Sequence, residues 1–162
     1  MASYTFVTPN GADVLTLDSP GAGQNRISGT SGGIGFEALT FSNIGSFAID
    51  TATNGGAGEN DSVTFLTDVT GVSSLSVTTG QGDDTIDASN VISVGLTIVS
   101  GAGNDSITGS AVSDVLVAGA GLDTLNTAGG RQTTHDTTAA GAGSGTDRRV
   151  RNRHREGTGG RG

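Results

Sequence analysis

The sequence predicts an all-β protein, a right-handed parallel β-solenoid of the β-roll or β-helix type, in which short coils stack on one another. Glycine accounts for 29 of the 162 residues, and a seven-residue glycine-rich motif recurs along the chain. Short β-branched runs with a two-residue period, typical of strands, lie between the motif copies. Because one such repeat cannot bury a core by itself, successive repeats are expected to stack.

Three copies of the motif read G-x-G-x-D-x-U, where U is an aliphatic residue. They run from Gly80 to Ile86, from Gly101 to Ile107 and from Gly119 to Leu125. A looser copy runs from Gly56 to Val63 and has one extra residue before its aspartate. The copies begin 24, 21 and 18 residues apart, and from Ser100 onward the aliphatic anchors recur every nine residues. One coil therefore corresponds to about two nonapeptides in the last part of the repeat.

Each position of the motif has a physical role. Glycine adopts backbone angles that other residues avoid, so the loop can turn tightly. The aspartate places a charge at the loop, and the aliphatic residue two positions later lies on a short strand and points inward. Leu, Ile, Val and Phe together number only 35 of 162 residues. We therefore expect a narrow core built from single layers of side chains.

These patterns divide the chain into three parts. Residues 1–54 are predicted to form degenerate coils, with weak glycine loops at Gly21 to Gly23 and Gly33 to Gly35. Residues 55–130 are predicted to form the repeat solenoid. Residues 131–162 are predicted to be a disordered Gly/Thr/Arg-rich tail, because Val150 is the only Leu, Ile, Val or Phe within them.

The net charge of −8 is unevenly distributed. Up to Gly130, 13 acidic residues face one arginine, a net charge of −12, whereas the remaining residues carry seven arginines against three acids, a net charge of +4. An acidic body repels nucleic acid and anionic membranes and attracts cations. The chain has no cysteine, which excludes thiolate metal sites, and no run of 18 apolar residues that could span a membrane.

Stacked coils would align the motif aspartates Asp84, Asp105 and Asp123 along one edge, with Asp61 as a further member. Two carboxylates separated by one strand spacing, about 4.8 Å, repel by about 3 to 4 kcal/mol at an effective dielectric constant near 20. A hard dication between them would turn this repulsion into attraction. Calcium suits such an edge because it accepts six to eight oxygens in flexible geometry, backbone carbonyls included, whereas magnesium requires stricter octahedral order.

The three loops resemble the repeat-in-toxin (RTX), or hemolysin-type, calcium-binding nonapeptide, whose pattern is G-G-x-G-x-D-x-U-x. The resemblance covers about 75 residues. It implies a secreted bacterial protein whose loops bind calcium between neighbouring coils of a β-roll. Carried over position by position, the metal-binding loop residues are Gly80, Gly82, Asp84, Gly101, Gly103, Asp105, Gly119, Gly121 and Asp123.

The sequence also departs from the family pattern. The leading glycine is replaced by Thr79, Ser100 and Ala118 in the three loops, and the opposite edge lacks its glycines. We therefore expect about two calcium ions between the three good loops, with a third beside Asp61.

The predicted function is that of a calcium-binding structural or adhesive segment of a secreted or cell-surface protein, with calcium as folding switch and stabiliser, and not that of an enzyme. Its partners would be calcium ions, further coils of a larger repeat protein or a cell-surface ligand, but not nucleic acid. Two alternatives stay open. One is a metal-free structural β-helix with solvated turn aspartates, and the other is a β-helical module of a polysaccharide-acting enzyme, which requires paired carboxylates on one face.

Two further motifs are interpreted as chance. Gly29 to Gly33 fits the G-x-S-x-G pattern of serine hydrolases, but the only histidines, His135 and His154, lie in the predicted tail. The pair His135-Asp136 lacks further side chains with which to bind a metal or act as a base.

Overall fold

The computed structural model of the chain describes residues 1–130 and 133–136. These residues form thirteen strands, which are β1 (Ala2–Val7), β2 (Asp13–Gly21), β3 (Gln24–Ser31), β4 (Ile34–Phe41), β5 (Ile44–Asp50), β6 (Ser62–Phe65), β7 (Ser74–Gln81), β8 (Thr85–Asp87), β9 (Leu96–Ala102), β10 (Ser106–Thr108), β11 (Val115–Ala120), β12 (Thr124–Asn126) and β13 (Thr133–Asp136). Within the same residues, no helix is long and apolar enough to cross a membrane.

The strands form two sheets. Sheet 1 has six strands in the order β1-β5-β7-β9-β11-β13, and every neighbouring pair is parallel. Sheet 2 has seven strands in the order β12-β10-β8-β6-β2-β3-β4, in which β12 to β2 are parallel. The pairs β2-β3 and β3-β4 are antiparallel, so sheet 2 is mixed. From β4 onward the chain passes alternately from one sheet to the other. We call a strand of sheet 1, the sheet 2 strand that follows it and the loop between them a coil; the five coils are β1-β2, β5-β6, β7-β8, β9-β10 and β11-β12.

The predicted fold class, a right-handed parallel β-solenoid, is therefore wrong as stated. The described chain has two sheets, one of them mixed, rather than a simple stack of parallel coils. Residues 13–41, predicted to belong to degenerate coils, instead form a three-stranded antiparallel meander. Residues 131–132 and 137–162 of the predicted tail lie outside the described residues, whereas Thr133–Asp136 form the edge strand β13.

Loop length explains the meander. The strands β2, β3 and β4 are joined by two-residue connections, Ala22-Gly23 and Gly32-Gly33, and φ is +70° at Gly23, +55° at Gly32 and +77° at Gly33. Two-residue loops with glycine at positive φ reverse the chain into an antiparallel neighbour, whereas a parallel neighbour needs a longer crossover. The glycines that look like weak repeat loops are therefore hairpin turns.

The core is one cluster of apolar side chains between the two sheets. Inward positions of sheet 2 carry Val63, Ile86 and Ile107, which are aligned by the register of β6, β8 and β10 and are buried. From β5 to β11, each strand of sheet 1 carries two buried apolar side chains at inward positions, such as Leu96 and Ile98 on β9. The aromatic side chains Phe41 and Phe47 stack near the meander, with ring centroids 4.3 Å apart. Beyond β10 only small and aliphatic side chains fill the space, so the core is narrow.

Candidate functional site: an aspartate column at one corner

The chain passes from sheet 1 to sheet 2 at one corner, which we call the acidic corner, formed by residues 8–13, 51–61, 79–84, 100–105 and 118–123. The parallel register places one aspartate of each coil at the same level of this corner. These residues, the aspartate column, are Asp13, Asp61, Asp84, Asp105 and Asp123. The three predicted metal-binding aspartates are thus consecutive members of one column, and Asp61 and Asp13 extend it toward the N-terminus.

One oxygen of four of these carboxylates, all except that of Asp13, binds the preceding coil. Oδ1 of Asp84 accepts a hydrogen bond from the backbone N–H of Asp61 at 2.8 Å. The same contact joins Asp105 to the N–H of Asp84 at 2.9 Å and Asp123 to the N–H of Asp105 at 2.9 Å. Oδ1 of Asp61 likewise accepts from Asp13 at 2.8 Å. These four aspartates therefore reach back to the previous coil and fix the spacing between coils.

The second oxygens of the column fall into two groups. Oδ2 of Asp13 and Oδ2 of Asp61 each accept a hydrogen bond of 2.5 Å, from the hydroxyls of Thr8 and Thr51 respectively. Four buried carboxylate oxygens of the column have no well-aligned hydrogen-bond partner among the described residues: Oδ2 of Asp84, Asp105 and Asp123, and Oδ1 of Asp13. A buried oxygen without a donor loses its hydration and gains nothing in return, which destabilises the fold by about 1 to 3 kcal/mol, and more when it is charged.

A second column of hydroxyls stands beside the aspartates. The register of sheet 1 aligns Thr8, Thr51, Thr79, Ser100 and Ala118, which we call the hydroxyl column. The hydroxyl of Thr79 donates to the carbonyl of Ser100 at 3.2 Å, and that of Ser100 donates to the carbonyl of Ala118 at 2.9 Å. A hydroxyl has one hydrogen to donate. The Thr51 hydroxyl also lies 3.3 Å from the carbonyl oxygen of Thr79, and the Thr79 and Ser100 hydroxyls also lie beside the Asp84 and Asp105 carboxylates, whose pKa values they lower. Each of these three hydroxyls is therefore shared between a carboxylate and the next coil.

Burial and charge act together on the titration of the column. The pKa of Asp84 is raised from its ordinary value of 3.8 to about 6, mainly by burial and to a smaller extent by the charges of Asp61 and Asp105, while hydrogen bonds from the Thr79 hydroxyl and the N–H of Asp61 oppose the shift. Burial also raises the pKa of Asp105 and that of Asp61, against partly compensating hydrogen bonds. Burial therefore disfavours the charged forms of Asp61, Asp84 and Asp105, so that a proton or a cation beside them stabilises the folded chain.

The predicted loop glycines pack coil against coil. φ is positive at all six predicted positions, from +93° at Gly119 to +156° at Gly121. A Cβ atom would lie 1.9 Å from the Gly80 carbonyl oxygen if added at Gly101, and 2.0 Å from that of Gly82 if added at Gly103. The same contact recurs one coil later, where Cβ atoms at Gly119 and Gly121 would approach the carbonyls of Gly101 and Gly103. Close packing therefore requires these glycines whether or not an ion is bound.

A second, exposed ladder lies one residue before the aspartates. The backbone N–H of Asp83 donates to Oδ1 of Asn60 at 2.8 Å, and the N–H of Asn104 donates to Oδ1 of Asp83 at 2.7 Å. The N–H of Leu122 continues it to Oδ1 of Asn104 at 2.9 Å. These side chains reach forward along the stack, opposite to the column, so the two ladders hold neighbouring loops from both directions.

Sequence reasoning missed several members of this site. It singled out neither Asp13 nor the exposed ladder, and it treated Thr79 and Ser100 only as departures from a glycine pattern. A spacing signal exists in the sequence, since a hydroxyl residue precedes the aspartate by five positions at Thr8 and Asp13, at Thr79 and Asp84, and at Ser100 and Asp105. The fourth hydroxyl, Thr51, is ten residues from Asp61 and can be paired with it only through the register.

The motifs interpreted as chance show no catalytic arrangement in the described part of the chain. The G-x-S-x-G run ends β3 and forms the following turn, and its serine, Ser31, donates a hydrogen bond to the carbonyl of Pro9 at 3.3 Å. His135 lies exposed on the edge strand β13.

A groove of about 620 Å³ opens between β1 and the meander. Apolar residues such as Phe6, Ile34 and Phe36 form much of its lining, and Glu37 is the only acidic side chain among its lining residues. Among the described residues, no group of three or more His, Cys, Asp and Glu side chains is arranged to hold a metal ion. Any cation at the acidic corner would therefore need backbone or hydroxyl oxygens in addition to the aspartates.

Comparison of the chain with protein-family models, with curated proteins and with solved structures finds no match. The class to which the molecule belongs is therefore defined by its own geometry. It is a two-sheet β protein whose coils stack five aspartates at one corner.

Proposed function

We propose that the chain is a calcium-stabilised structural module without catalytic activity. The observation that carries this proposal is the set of three buried Oδ2 oxygens, on Asp84, Asp105 and Asp123, that lack a donor on consecutive coils. Neighbouring carboxylates at one strand spacing repel by about 3 to 4 kcal/mol at an effective dielectric constant near 20. A dication that neutralises them removes this repulsion and links the coils.

The donor set suits calcium. Carboxylate oxygens from two neighbouring coils lie beside the hydroxyls of Thr79 and Ser100 and the carbonyls to which these hydroxyls donate. These are hard oxygen ligands of mixed charge, which calcium accepts in irregular geometry. Asp84, Asp105 and Asp123 would hold the ion. It would supply charge neutralisation and cross-linking between coils, and no chemistry on a substrate.

The resemblance to RTX repeats supports the same cation and a location outside the cell. Extracellular calcium modules bind weakly, with dissociation constants of about 10⁻⁴ to 10⁻³ M, because calcium is plentiful there. A secreted or cell-surface protein with a structural or adhesive role fits this regime. Further coils or a cell-surface ligand would be its partners beside calcium.

The absence of a second carboxylate in the groove beside β1 favours a structural module over a polysaccharide-acting enzyme. Glycoside hydrolysis uses two carboxyl groups about 5 to 9.5 Å apart on either side of the substrate. Glu37 is the only acidic residue among those that line this groove.

A metal-free structural module is the second candidate, and two observations favour it. The Oδ1 ladder joins the coils without an ion, and the loop glycines are explained by their contacts with neighbouring carbonyls. The two candidates differ in one respect. Only a cation-dependent module leaves the Oδ2 oxygens unsatisfied until the cation binds.

Thermal melting of the full chain during a calcium titration, with magnesium as ion control, separates the two candidates. We expect Tm to rise with calcium at submillimolar to millimolar concentration. The Asp105→Asn variant should lose most of this rise, because the amide fills the same space without the charge. Asp87→Asn is the matched control, since Asp87 lies on the same coil as Asp84 but outside the column. A wild-type Tm that is equal in calcium and in chelator would establish the metal-free module instead.

A further inference from the structure

Two asparagine–glycine pairs lie in the acidic corner. They are Asn10-Gly11 in the first coil and Asn54-Gly55 in the loop between β5 and β6. The side-chain amide of an asparagine is open to attack by the backbone nitrogen of a following glycine, because no side chain shields that nitrogen. The two pairs are chemically alike as dipeptides, so a difference between their reactivities in the folded chain comes from their surroundings.

The surroundings of Asn10-Gly11 supply a base. The backbone N–H of Gly11 donates to Oε2 of Glu59 at 3.2 Å, and that of Gly56 donates to the same oxygen at 2.6 Å. The Asn10 amide lies beside this carboxylate, since a Cβ atom added at Gly56 would be 3.4 Å from Oδ1 of Asn10 and 2.9 Å from Oε1 of Glu59. The amide, the attacking nitrogen and the carboxylate therefore meet at one place.

The fold also requires the glycine of this pair. φ is +140° at Gly11, and a Cβ atom there would lie 2.7 Å from the Cα atom of Gly32. Residues with a side chain are therefore disfavoured at position 11. The Asn10 side chain is exposed and makes no hydrogen bond within the described chain, so it can rotate toward the Gly11 nitrogen.

Asn54-Gly55 has different surroundings. The amide nitrogen of Asn54 donates to the carbonyl of Thr8 at 2.8 Å, which holds this side chain against the first coil. The N–H of Gly55 donates to the carbonyl of Ala52 at 3.2 Å, and a carbonyl oxygen accepts hydrogen bonds but is not a base at neutral pH. The attacking nitrogen of this pair is therefore bonded to a group that cannot remove its proton.

We propose that Asn10 is a site of spontaneous deamidation with Glu59 as the general base, and that the fold protects Asn54. The Gly11 nitrogen passes its proton to Glu59 and forms a bond to Cγ of Asn10. The bond between Cγ and the amide nitrogen breaks, and ammonia leaves with that proton, so that a five-membered succinimide remains.

Water completes the reaction. It adds to one carbonyl of the succinimide and opens the ring to an aspartyl or an isoaspartyl residue at position 10. In sum, the side-chain amide and water give a carboxylate and ammonium. The modification thus adds one negative charge to the acidic corner, beside Glu59, and it does not depend on the proposed function.

The test follows both asparagines in one sample of the full chain at neutral pH in chelator. Peptide mapping by mass spectrometry at successive times gives the rate of deamidation at each residue. We expect Asn10 to react at least about tenfold faster than Asn54 in the folded chain. In urea the two rates should become similar, lying below that of Asn10 and above that of Asn54 in the folded chain.

The variant Glu59→Gln removes the base and keeps an acceptor oxygen for the two N–H groups. It should slow deamidation of Asn10 by about tenfold and leave the rate at Asn54 unchanged. Asp87→Asn is the matched control, because it makes the same change of charge outside the acidic corner and should leave both rates as in wild type. Circular dichroism shows whether each variant is folded.

Each outcome decides the inference. It is overturned if Asn54 reacts as fast as Asn10 in folded wild type, or if Asn10 reacts more slowly in the folded chain than in urea. A folded Glu59→Gln chain that deamidates at Asn10 at the wild-type rate overturns the role of Glu59. If that variant does not fold, the comparison of wild type with and without urea decides. Because all samples contain chelator, a failure here leaves the calcium proposal untouched.

Discussion

The two corners of the molecule carry aspartates in opposite states. The opposite corner is formed by residues 66–73, 88–95 and 109–114, which return the chain to sheet 1. There Asp114 accepts hydrogen bonds from the N–H of Leu96 at 2.8 Å, from the N–H of Ser110 at 2.7 Å and from the Ser110 hydroxyl at 2.6 Å. At the acidic corner, Asp105 is as deeply buried, but only its Oδ1 has a well-aligned donor within the described chain. Burial alone therefore does not define a site.

A second pair of residues shows the same contrast in pKa. Burial raises the pKa of Asp68 at the opposite corner, but hydrogen bonds from Ser93, Ile92 and Val69 outweigh it and leave the pKa below its ordinary value. At the acidic corner, burial dominates and the pKa of Asp84 rises to about 6. Carboxylates that are satisfied by backbone donors stabilise the loops, whereas incompletely satisfied carboxylates need a further partner.

The largest expected effect concerns the glycines that let the acidic corner pack. Gly103→Ala places a Cβ atom 2.0 Å from the Gly82 carbonyl oxygen, at a φ of +140° that alanine avoids. We expect a loss of about 3 kcal/mol or more in the free energy of unfolding, measured by urea denaturation. Gly35→Ala is the control, because a Cβ atom there meets nothing within 4 Å. Equal stability of the two variants would show that the loops do not pack as described.

The next effect should come from the opposite corner. Both carboxylate oxygens of Asp114 accept hydrogen bonds from Leu96 or Ser110. Asp114→Asn therefore places an NH₂ group opposite an N–H or O–H donor. The expected loss in the free energy of unfolding is about 2 to 3 kcal/mol, with or without calcium. Denaturation in chelator measures it. If Asp114→Asn leaves the free energy of unfolding unchanged, the two corners do not differ as described.

The free energy of unfolding should depend on pH because of Asp84 at the acidic corner. The folded-state pKa of Asp84, about 6, lies above its ordinary value of 3.8. The folded chain therefore holds this proton more tightly than the unfolded chain, and the resulting stabilisation is present below pH 3.8 and lost as the pH rises through about 6. We expect a loss of about 1 to 2 kcal/mol from this residue between about pH 4 and 6.5 in chelator.

The Asp84→Asn variant is the control for this pH dependence of the free energy of unfolding. Asp84→Asn should flatten the loss between acid and neutral pH, since the amide does not titrate. Melting curves at several pH values in chelator, for wild type and for the variant, provide the comparison. The pKa of Asp68 is lowered, so its contribution has the opposite sign and appears only at more acid pH. Identical pH profiles for wild type and Asp84→Asn would contradict the assignment.

The smallest expected effect is also the most diagnostic one. In chelator, Asp105→Asn should change the free energy of unfolding by less than about 0.5 kcal/mol or raise it, because Oδ1 keeps its role and no donor opposes the amide. Ser100 can accept from that amide through its hydroxyl oxygen. Denaturation in chelator, beside Asp114→Asn, makes the comparison between the corners direct. A loss as large as that of Asp114→Asn would show that Oδ2 of Asp105 has a donor after all.

Part of this architecture could be predicted from the sequence. The shared motif places Ile86 and Ile107 inward and aligns Asp84, Asp105 and Asp123, because equal spacing from the loop glycines sets equal positions in the coil. The identity of the bound ion stays a prediction. The meander of residues 13–41 was not predicted, because a glycine pair at a hairpin and a glycine pair at a repeat loop look alike until the length of the connection is considered.

The rest of the site depends on register, which the sequence does not show directly. Thr51 and Asp61 are brought together by a longer loop than the other pairs, and Asp13 joins the column only because β2 pairs with β6. The direction in which a hydroxyl donates depends on atoms of the neighbouring coil, such as the Ala118 carbonyl. Contacts of this kind follow from the stacking of coils and not from any local pattern.

The most direct test of the central claim compares wild type with the double variant Asp84→Asn/Asp105→Asn, each melted in calcium and in chelator. If unsatisfied oxygens at the acidic corner form the cation site, wild type gains stability from calcium, whereas the variant is at least as stable as wild type in chelator and gains little from calcium. A variant that is less stable than wild type in chelator, together with a wild-type Tm that is indifferent to calcium, would contradict the claim.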